Sequence, residues 1–420
     1  MVAIPLFGTQ FSSIIECPVE VSCEPHPTIC IQTDMKILYG ASYDVSDLKR
    51  GNGIDHFKLG ALRSAGCEVK RLSPIIPEPQ SRDIVSRGIR KLRRMLISDD
   101  VVASKKQHLE TIGKAIAEHP LHAKADAIVS PNHFDISFYG GPLPVFFWTD
   151  ATYSNMGSMY PHVQRESEGM KSFEHQVQKR AVDRAIGAMW ASRYAMNSAV
   201  SDYGADPDRQ FVTRFGLNLP TSIQESELEE ILSRRDDRTI RLMFIGFDYK
   251  RKGLDIALRA VVELNNLGVP ALLDTIGGFH EVPEEARNYV TVHGPLNKLE
   301  PSQLATFETI QRSSHFLIFP TRADVYCMPA VEAMAAGCVP VVSSVGGIPE
   351  IVADGETGIV LPLSAGPLDY AKSIKNAFEN RQRYLAMCRA GYASYRANHR
   401  WDRIGEKAAS FIKSKLNSTT

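Results

Sequence analysis

The sequence predicts an α/β protein of two doubly wound domains, and three features carry this prediction. Short apolar runs alternate with helical patterns from residue 35, the same alternation restarts near residue 239, and a polar, charged stretch separates the two halves. Alternating strands and helices are typical of parallel sheets covered by helices on both faces. Ligands of such sheets bind in the crevice at the carboxyl ends of the strands. We therefore expect a site in the cleft between the two halves.

The first half opens with a strand–helix–strand unit. KILYG (36–40) and CEVKRL (67–72) have the pattern of strands, and the helix between them begins after Gly51-Asn52-Gly53. Further strands are predicted at DAIVS (126–130), LPVFFWT (143–149), AMWAS (188–192) and QFVTRFG (210–216), and helices at about 106–118 and 167–187. Residues 1–34 have little periodicity, so we interpret them as an irregular extension before a domain over 35–220.

The second half repeats the pattern after a predicted linker at 221–238. Strands are predicted at IRLMFIG (240–246), ALLDTIG (271–277), VTVHG (290–294), HFLIFP (315–320) and VPVVSS (339–344), and a helix begins near Gly253. These elements form a predicted domain over 239–398, which a final helical segment at 399–420 follows.

Composition excludes several classes of protein. With 44% hydrophobic and 23% charged residues among 420, the chain is globular. Its formal net charge of zero does not favour nucleic acid as a partner. Seven cysteines without a C-x-x-C pair indicate free thiols in a reducing compartment. The first residues lack the basic region of a signal peptide, and no apolar run approaches the roughly 20 residues of a membrane span. We therefore expect a cytoplasmic protein.

The segment TRADVYCMPAVEAMAAGCVPVVSSVGGIPEIV (321–352) carries most of the chemistry. Pro329 suits the first turn of a helix that would end at Gly337. Asp324 would precede this helix, and Glu332 would lie one turn inside it, so both carboxylates would face one crevice. The helix N-terminus presents free N–H groups and a positive dipole end, which suit a diphosphate.

These residues resemble family 4 of the retaining glycosyltransferases, which have the GT-B fold of two Rossmann-like domains facing a central cleft. The resemblance rests on an acid eight residues before a glutamate, followed by Ala-Met-Ala-x-Gly-x-x-Pro-Val-Val and Gly-Gly-x-Pro-Glu. Residues 190–219 resemble the end of the family's N-terminal domain. Residues 399–412 resemble its last helix, which crosses back to that domain.

The resemblance implies roles for individual residues. Glu332 would hold the donor ribose and Asp324 the hydroxyls of the transferred sugar. Main-chain N–H groups near Cys327, Met328 and Pro329 would also contact the donor.

A basic turn, GFDYKRKG (246–253), follows the first strand of the second half. The family has a Gly-Arg…Lys-Gly turn here, whose two cations bind the diphosphate. Gly246 and Lys252 keep that spacing, whereas Phe247 stands where the arginine is commonest, so Arg251 or Lys250 would supply the second charge. An exposed basic turn without a ligand is the alternative.

Two features of the first half complete the predicted site. In the family, a glycine loop like that of Gly51 and Gly53 lies against the donor phosphate and the acceptor. A histidine often follows the strand at 143–149, but this chain has Asp150 there. Asp150 either orients the acceptor hydroxyl or is a polar loop residue without a catalytic role.

Two other motifs are weaker. Asp206-Pro207-Asp208 resembles the D-x-D of metal-dependent transferases, but it occupies a predicted turn, and we expect no metal site. The stretch RDIVSRGIRKLRRML (82–96) is either a basic amphipathic helix that contacts anionic lipid or a phosphorylated acceptor, or a solvated helix face.

The resemblance thus predicts a metal-independent, retaining transfer of a hexose from a UDP- or GDP-sugar, without a cofactor. The acceptor would be a hydroxyl of a glycan, a lipid-linked glycan or a small molecule. The alternatives are another GT-B enzyme, such as an epimerase or a phosphorylase, and an inactive pseudo-glycosyltransferase that serves as a binding module.

Overall fold

The structure is a computed structural model that describes residues 34–48, 50–75, 98–219, 223–278 and 280–418. All of these residues lie in one compact unit, Ile31–Thr420. The predicted extension over 1–34, apart from Asp34, and the basic stretch over 82–96 lie outside the described residues.

The first half folds around a parallel six-stranded sheet. Its strands are β1 (Lys36–Gly40), β2 (Glu68–Leu72), β3 (Ala127–Ser130), β4 (Val145–Thr149), β5 (Gly187–Trp190) and β6 (Gln210–Val212). They lie in the order β2-β1-β3-β4-β5-β6. The winding direction therefore reverses between β1 and β3, where Ile37 pairs with Ala127. Every residue of β3 and β4 is buried, which explains their almost unbroken apolar sequences.

The second half repeats this architecture. Its strands are β7 (Ile240–Gly246), β8 (Ala271–Gly277), β9 (Val290–Gly294), β10 (Phe316–Phe319), β11 (Val339–Ser343) and β12 (Ile359–Leu361). Their order is β12-β11-β10-β7-β8-β9, and all neighbours are parallel. The winding direction here reverses between β7 and β10. The α/β class and the two doubly wound sheets predicted from the sequence are thus confirmed.

Helices cover both sheets. Those of the first half are α1 (Ile54–Ser64), α2 (Ser98–Glu118), α3 (Tyr153–Met159), α4 (Pro161–Gln164), α5 (Glu168–Arg184) and α6 (Arg193–Tyr203). Those that follow are α7 (Glu225–Arg234), α8 (Tyr249–Lys252), α9 (Leu254–Asn266), α10 (Pro301–Ser313), α11 (Met328–Ala335), α12 (Pro367–Glu379), α13 (Arg381–Asn398) and α14 (Trp401–Asn417). Short 3₁₀ turns occur at Arg50–Gly53, His122–Lys124, Pro207–Arg209, Glu284–Tyr289 and Ile348–Glu350.

Helical periodicity explains why these segments fold against the sheets. In α9, buried apolar side chains recur at spacings of three and four residues: Leu254, Ala257, Leu258, Val261 and Leu264. In α6, the Ser192 hydroxyl accepts a hydrogen bond from Ala195 N at 3.2 Å, so an N-cap fixes where the helix begins.

The segment 221–238, predicted as a linker, contains α7. Leu228, Ile231 and Leu232 of this helix are buried in the core of the second half. Full burial of such side chains stabilises by about 1.5–3 kcal/mol each. The connection between the halves is therefore anchored in the second half by apolar packing.

The chain crosses between the halves a second time before α14. This helix packs on α1 of the first half, where a Cβ at Gly405 would lie 2.1 Å from the main-chain oxygen of Ala61. Trp401 stacks on Phe57 with ring centroids 6.1 Å apart. Both crossings meet at Tyr326, whose hydroxyl accepts from Phe215 N at 3.0 Å and lies 3.2 Å from Nδ1 of His399.

Candidate active site

Two of the predicted site residues follow the strands between which the second sheet reverses. Lys252 ends α8, after β7, and Asp324 lies in the loop after β10. Ligands of doubly wound sheets bind at such a reversal. The Lys252 ammonium lies 2.7 Å from Oδ2 of Asp324, and the side chains are only 14% and 9% exposed. The structure therefore brings the predicted phosphate-binding cation and the predicted sugar-binding carboxylate into one ion pair.

Glycines allow the main chain to pack closely around Lys252. A Cβ at Gly246 would lie 3.1 Å from both Cβ and Cγ of Lys252, so the bare glycine leaves room for the lysine stem. Gly253 has a φ of +77°, and a Cβ there would lie 2.0 Å from the main-chain oxygen of Pro320. Only glycine fits this left-handed position against the end of β10.

Helix α11 begins close to Asp324. Pro329 lies in its first turn, where a missing N–H has no cost, and no described side chain caps its N-terminus. The Cys327 side chain is fully buried, and burial raises the pKa of its thiol. A ligand can therefore meet only main-chain groups at Cys327 and Met328, beside the positive end of the helix dipole.

Glu332 faces a lysine that the sequence analysis did not select. Its Oε1 lies 2.5 Å from Nζ of Lys298, and the Glu332 side chain is 2% exposed. The Lys298 ammonium also lies 4.2 Å from the centroid of the Phe307 ring. A carboxylate buried without a countercharge is strongly unfavourable, so the Lys298 ammonium offsets part of the cost of burying Glu332.

The other residues of the basic turn differ in their contacts and in their exposure. Arg251 donates to the main-chain oxygen of Ala323 at 3.0 Å and pairs with Asp248 at 3.2 Å, so it supports the Asp324 loop. Lys250 is exposed. Phe247, at the place of the family's arginine, is 72% exposed at the end of β7.

The glycine loop of the first half presents an open surface. Gly51 has a φ of +54°, and a Cβ there would meet no atom within 4 Å. Gly53, with a φ of +72°, begins α1, and a Cβ there would lie 2.9 Å from Cδ2 of Leu48. The positive φ angles explain both glycines.

Asp150 lies at the carboxyl end of β4 and faces a buried lysine. Burial raises the pKa of its carboxyl and the Lys58 charge lowers it, while the Asp324 charge raises it. The Lys58 side chain is nearly buried, pairs with Asp55 at 3.0 Å and donates to the main-chain oxygen of Trp148 at 2.8 Å. Asp150 and Asp324 thus lie within electrostatic reach across the cleft.

A tyrosine of the first half also lies near the basic turn and the loop of Asp324. Tyr160 follows α3, and the Arg251 guanidinium carbon lies 5.4 Å from the centroid of its ring. Burial, followed by the Asp324 charge, raises the pKa of its hydroxyl.

The Gly-Gly-x-Pro-Glu turn connects the two halves. Gly346 has a φ of +57°, and a Cβ there would lie 2.1 Å from the main-chain oxygen of Asp324. Gly347 N donates to Val325 O at 3.2 Å. The Glu350 carboxylate accepts from Arg193 N at 2.8 Å and from the next main-chain N–H at 2.7 Å, so it caps α6 of the first half.

Sequence reasoning missed Lys298, Lys58 and Tyr160. Lys298 follows a predicted strand, and this position at the carboxyl edge of a sheet is a signal that could have selected it. Lys58 lies among the apolar residues of α1, where a lone lysine marks a buried charge. Tyr160 gives no such signal, because only the packing of the two halves brings it to Arg251.

The Asp206-Pro207-Asp208 motif has a local role. Oδ1 of Asp206 accepts from Asp208 N at 3.0 Å and so caps a 3₁₀ turn. Among the described residues, no three His, Cys, Asp or Glu side chains gather into a group that could hold a metal ion. In the same part of the chain, no helix is long and apolar enough to cross a bilayer.

Residues 239–380 match the family described as glycosyl transferases group 1. A curated relative, the D-inositol 3-phosphate glycosyltransferase of Paenarthrobacter aurescens (strain TC1), is 24% identical over 375 residues, which span 82% of this chain and 87% of the relative.

Solved structures show the fold of both halves. Sucrose-phosphate synthase from Thermosynechococcus elongatus superposes with a TM-score of 0.66 at 14% identity, over 92% of this chain and 100% of that one. HepE of Anabaena, in complex with UDP-glucose, superposes with a TM-score of 0.58 at 15% identity, over 90% and 100% of the two chains. The chain therefore has the GT-B fold, and its resemblance to the family 4 glycosyltransferases is confirmed.

Proposed function

We propose that this chain is a retaining glycosyltransferase that moves a hexose from a UDP- or GDP-sugar to an acceptor hydroxyl. The observation that carries this proposal is the Lys252–Asp324 ion pair beside the N-terminus of α11, with Glu332 one turn into that helix. A cation, a helix N-terminus and two carboxylates match the diphosphate, the sugar and the ribose of one donor.

Lys252 would meet the β-phosphate. As the bond between the sugar C1 and the phosphate oxygen breaks, negative charge grows on that oxygen, and a fixed ammonium stabilises it. Arg251 is engaged by Ala323 O and Asp248, Lys298 is paired with Glu332, and Lys250 is exposed, so Arg251 or Lys298 would supply the second charge. We propose that these cations do the work of a metal ion in this site.

Asp324 would accept hydrogen bonds from hydroxyls of the transferred sugar, and Glu332 from those of the ribose. Both carboxylates are nearly buried, and each is paired with a lysine. Asp324 is paired with Lys252, so it is poorly suited to attack the anomeric carbon as a nucleophile. A same-face displacement fits this arrangement, in which the acceptor oxygen bonds to C1 and its proton passes to the departing phosphate.

Asp150 would orient the acceptor from the first half. It lies at the carboxyl end of β4 and within electrostatic reach of Asp324, so the acceptor hydroxyl would lie between the two halves. The Tyr160 contact with Arg251 would help to exclude water on this side of the cleft and so limit hydrolysis of the donor.

A ligand screen followed by product analysis tests the proposal. A UDP- or GDP-sugar should raise the melting temperature of the wild-type protein, because a ligand that binds only the folded state stabilises it. The same sugar should be transferred to added acceptors, with NMR of the new glycoside showing the donor's anomeric configuration. Lys252→Gln should lose both effects. If no nucleotide sugar shifts the melting temperature or is consumed, the proposal is wrong; release of an epimerised sugar would assign an epimerase instead.

A further inference from the structure

A cavity of about 430 Å³ lies at the boundary between the halves, away from the Lys252–Asp324 pair. Arg193 at the start of α6, Arg214 after β6 and Lys407 on α14 contribute to its wall. Glu350, from the second half, lines it as well. Its volume falls in the range of small-molecule sites, which is about 300–1,000 Å³.

The charges around this cavity are unbalanced. Among the described residues, no carboxylate forms an ion pair with the side chains of Arg193, Arg214 or Lys407. Single unpaired cations are common on protein surfaces, but here three converge on one concave space. Both oxygens of Glu350 accept main-chain N–H groups at the N-terminus of α6, so the helix dipole offsets its charge.

A buried polar group adds a second observation. Thr213 lines the cavity and is 2% exposed. Its hydroxyl has no hydrogen-bond partner among the described residues. Buried hydroxyls are nearly always satisfied in folded proteins, so an oxygen of a ligand in this cavity would give the Thr213 hydroxyl an acceptor.

We propose that the cavity binds a small phosphorylated anion at a site separate from the donor site. Phosphate oxygens match the planar fork of an arginine and the point charge of a lysine, and they accept from a hydroxyl. The ligand would contact the start of α6, the segment after β6 and helix α14. It would also contact the turn of Glu350 in the second half. The turn that ends at Glu350 also packs against the main chain of Asp324 and Val325. Binding would therefore favour the arrangement of the halves in which this turn holds the Asp324 loop in place.

Inorganic phosphate is the probe for the test, with binding to the full chain measured by isothermal titration calorimetry. The double variant Arg214→Gln/Lys407→Gln should weaken binding about tenfold or more, because two charge-assisted contacts are lost. The matched control is Arg403→Gln/Lys413→Gln, which removes one arginine and one lysine that are exposed on α14 outside the cavity. This control should bind like the wild type.

Lys252→Gln separates this site from the donor site: phosphate that binds at the donor site is lost in this variant, whereas the binding that depends on Arg214 and Lys407 should remain. Loss of binding in Lys252→Gln alone would assign the phosphate to the donor site and overturn the proposal. Equal weakening in both double variants would show that only diffuse surface charge attracts the anion, which also overturns it. Thermal unfolding of each variant in buffer confirms that the chain is folded.

Discussion

The ammonium of Lys252 lies 2.7 Å from Oδ2 of Asp324, although 72 positions separate the two residues in the chain. An ion pair with so little exposure forms only when the fold fixes both partners, because charges lose hydration on burial. Strands β7 and β10 are neighbours at the reversal of the sheet, so their carboxyl ends bring the two residues together. A donor diphosphate would compete for Lys252 and release an Asp324 oxygen to accept from the sugar.

Catalysis should depend on Lys252 and not on a divalent metal. Removing one contact that stabilises the departing phosphate typically costs on the order of 3 kcal/mol, or about a hundredfold in rate. Lys252→Ala should therefore lower kcat by about that factor, and Lys250→Ala, at an exposed position of the same turn, should have little effect. Wild-type activity should persist in excess EDTA. Activity lost in EDTA and restored by Mg²⁺ or Mn²⁺ would contradict this prediction.

Asp324 and Glu332 should affect different parts of the donor. Asp324→Asn should impair transfer more than it impairs binding of the bare nucleoside diphosphate, since that ligand lacks the sugar. Glu332→Gln should weaken the nucleotide sugar and the bare diphosphate alike, because both carry the ribose. Calorimetric binding constants and initial rates check the two variants, with Glu285→Gln, at an exposed carboxylate, as control. Equal losses in both variants for every ligand would count against the assignment.

The sequence predicted the architecture better than the partners of the site residues. Strands β1, β7, β8 and β9 have the predicted bounds, because unbroken apolar runs between turn residues mark buried strands. The α2 helix begins at Ser98, well before the predicted 106, because its first turns lack a clear apolar stripe.

The positions of Asp324 and Glu332 also followed from sequence, since a proline and a glycine mark the ends of α11. The lysine partners of these two carboxylates differ in how far the sequence predicts them. Lys252 lies in a recognisable turn, but Lys298 reaches Glu332 only because the loop after β9 folds over α10, where Phe307 supports the lysine. A contact of this kind depends on tertiary packing and leaves no periodic signal in the chain.

Gly246 should be required for the position of Lys252. A Cβ at Gly246 would lie 3.1 Å from Cβ and Cγ of Lys252 and from Cε1 of the buried Phe244 ring, so these neighbours would have to shift by a few tenths of an ångström. Gly246→Ala should therefore weaken donor binding several-fold and lower the free energy of unfolding by about 1–3 kcal/mol. Gly60→Ala, on α1 with no atom near its Cβ, is the control. Unchanged donor affinity in Gly246→Ala would show that the lysine stem tolerates the methyl group.

Stability should fall in mild acid, in part through His315. This side chain is fully buried, with Nδ1 accepting from Arg241 N at 3.0 Å and Nε2 donating to Asp236 O at 2.7 Å. Burial, aided by the Arg235 charge, lowers its pKa to about 4. The unfolded chain titrates near 6.5, so between these values only the unfolded state binds the proton, and stability is lost as the pH falls.

Protonation of His315 in the unfolded state should lower the free energy of unfolding by about 2 kcal/mol at pH 5 relative to pH 7.5. His315→Asn keeps an acceptor for Arg241 N but does not titrate, so its free energy of unfolding should vary less over that range by about this amount. Urea denaturation at both pH values measures the difference. Other buried histidines are shared by the two proteins and cancel, so equal pH dependence would contradict the prediction.

Activity should fall in acid as Asp150 becomes protonated. Burial raises the pKa of Asp150, so the acid limb of kcat/KM should lie above the usual carboxyl range, and activity is lost as the pH falls through it. The Lys58 charge opposes this shift, so Lys58→Met should move the limb to higher pH, whereas Lys58→Arg, which keeps a cation beside Asp55, should move it less. Asp150→Asn should abolish the limb together with most of the activity. Rates measured from about pH 5 to 8 provide the test, and identical profiles for the two Lys58 variants would exclude Asp150 as the titrating group.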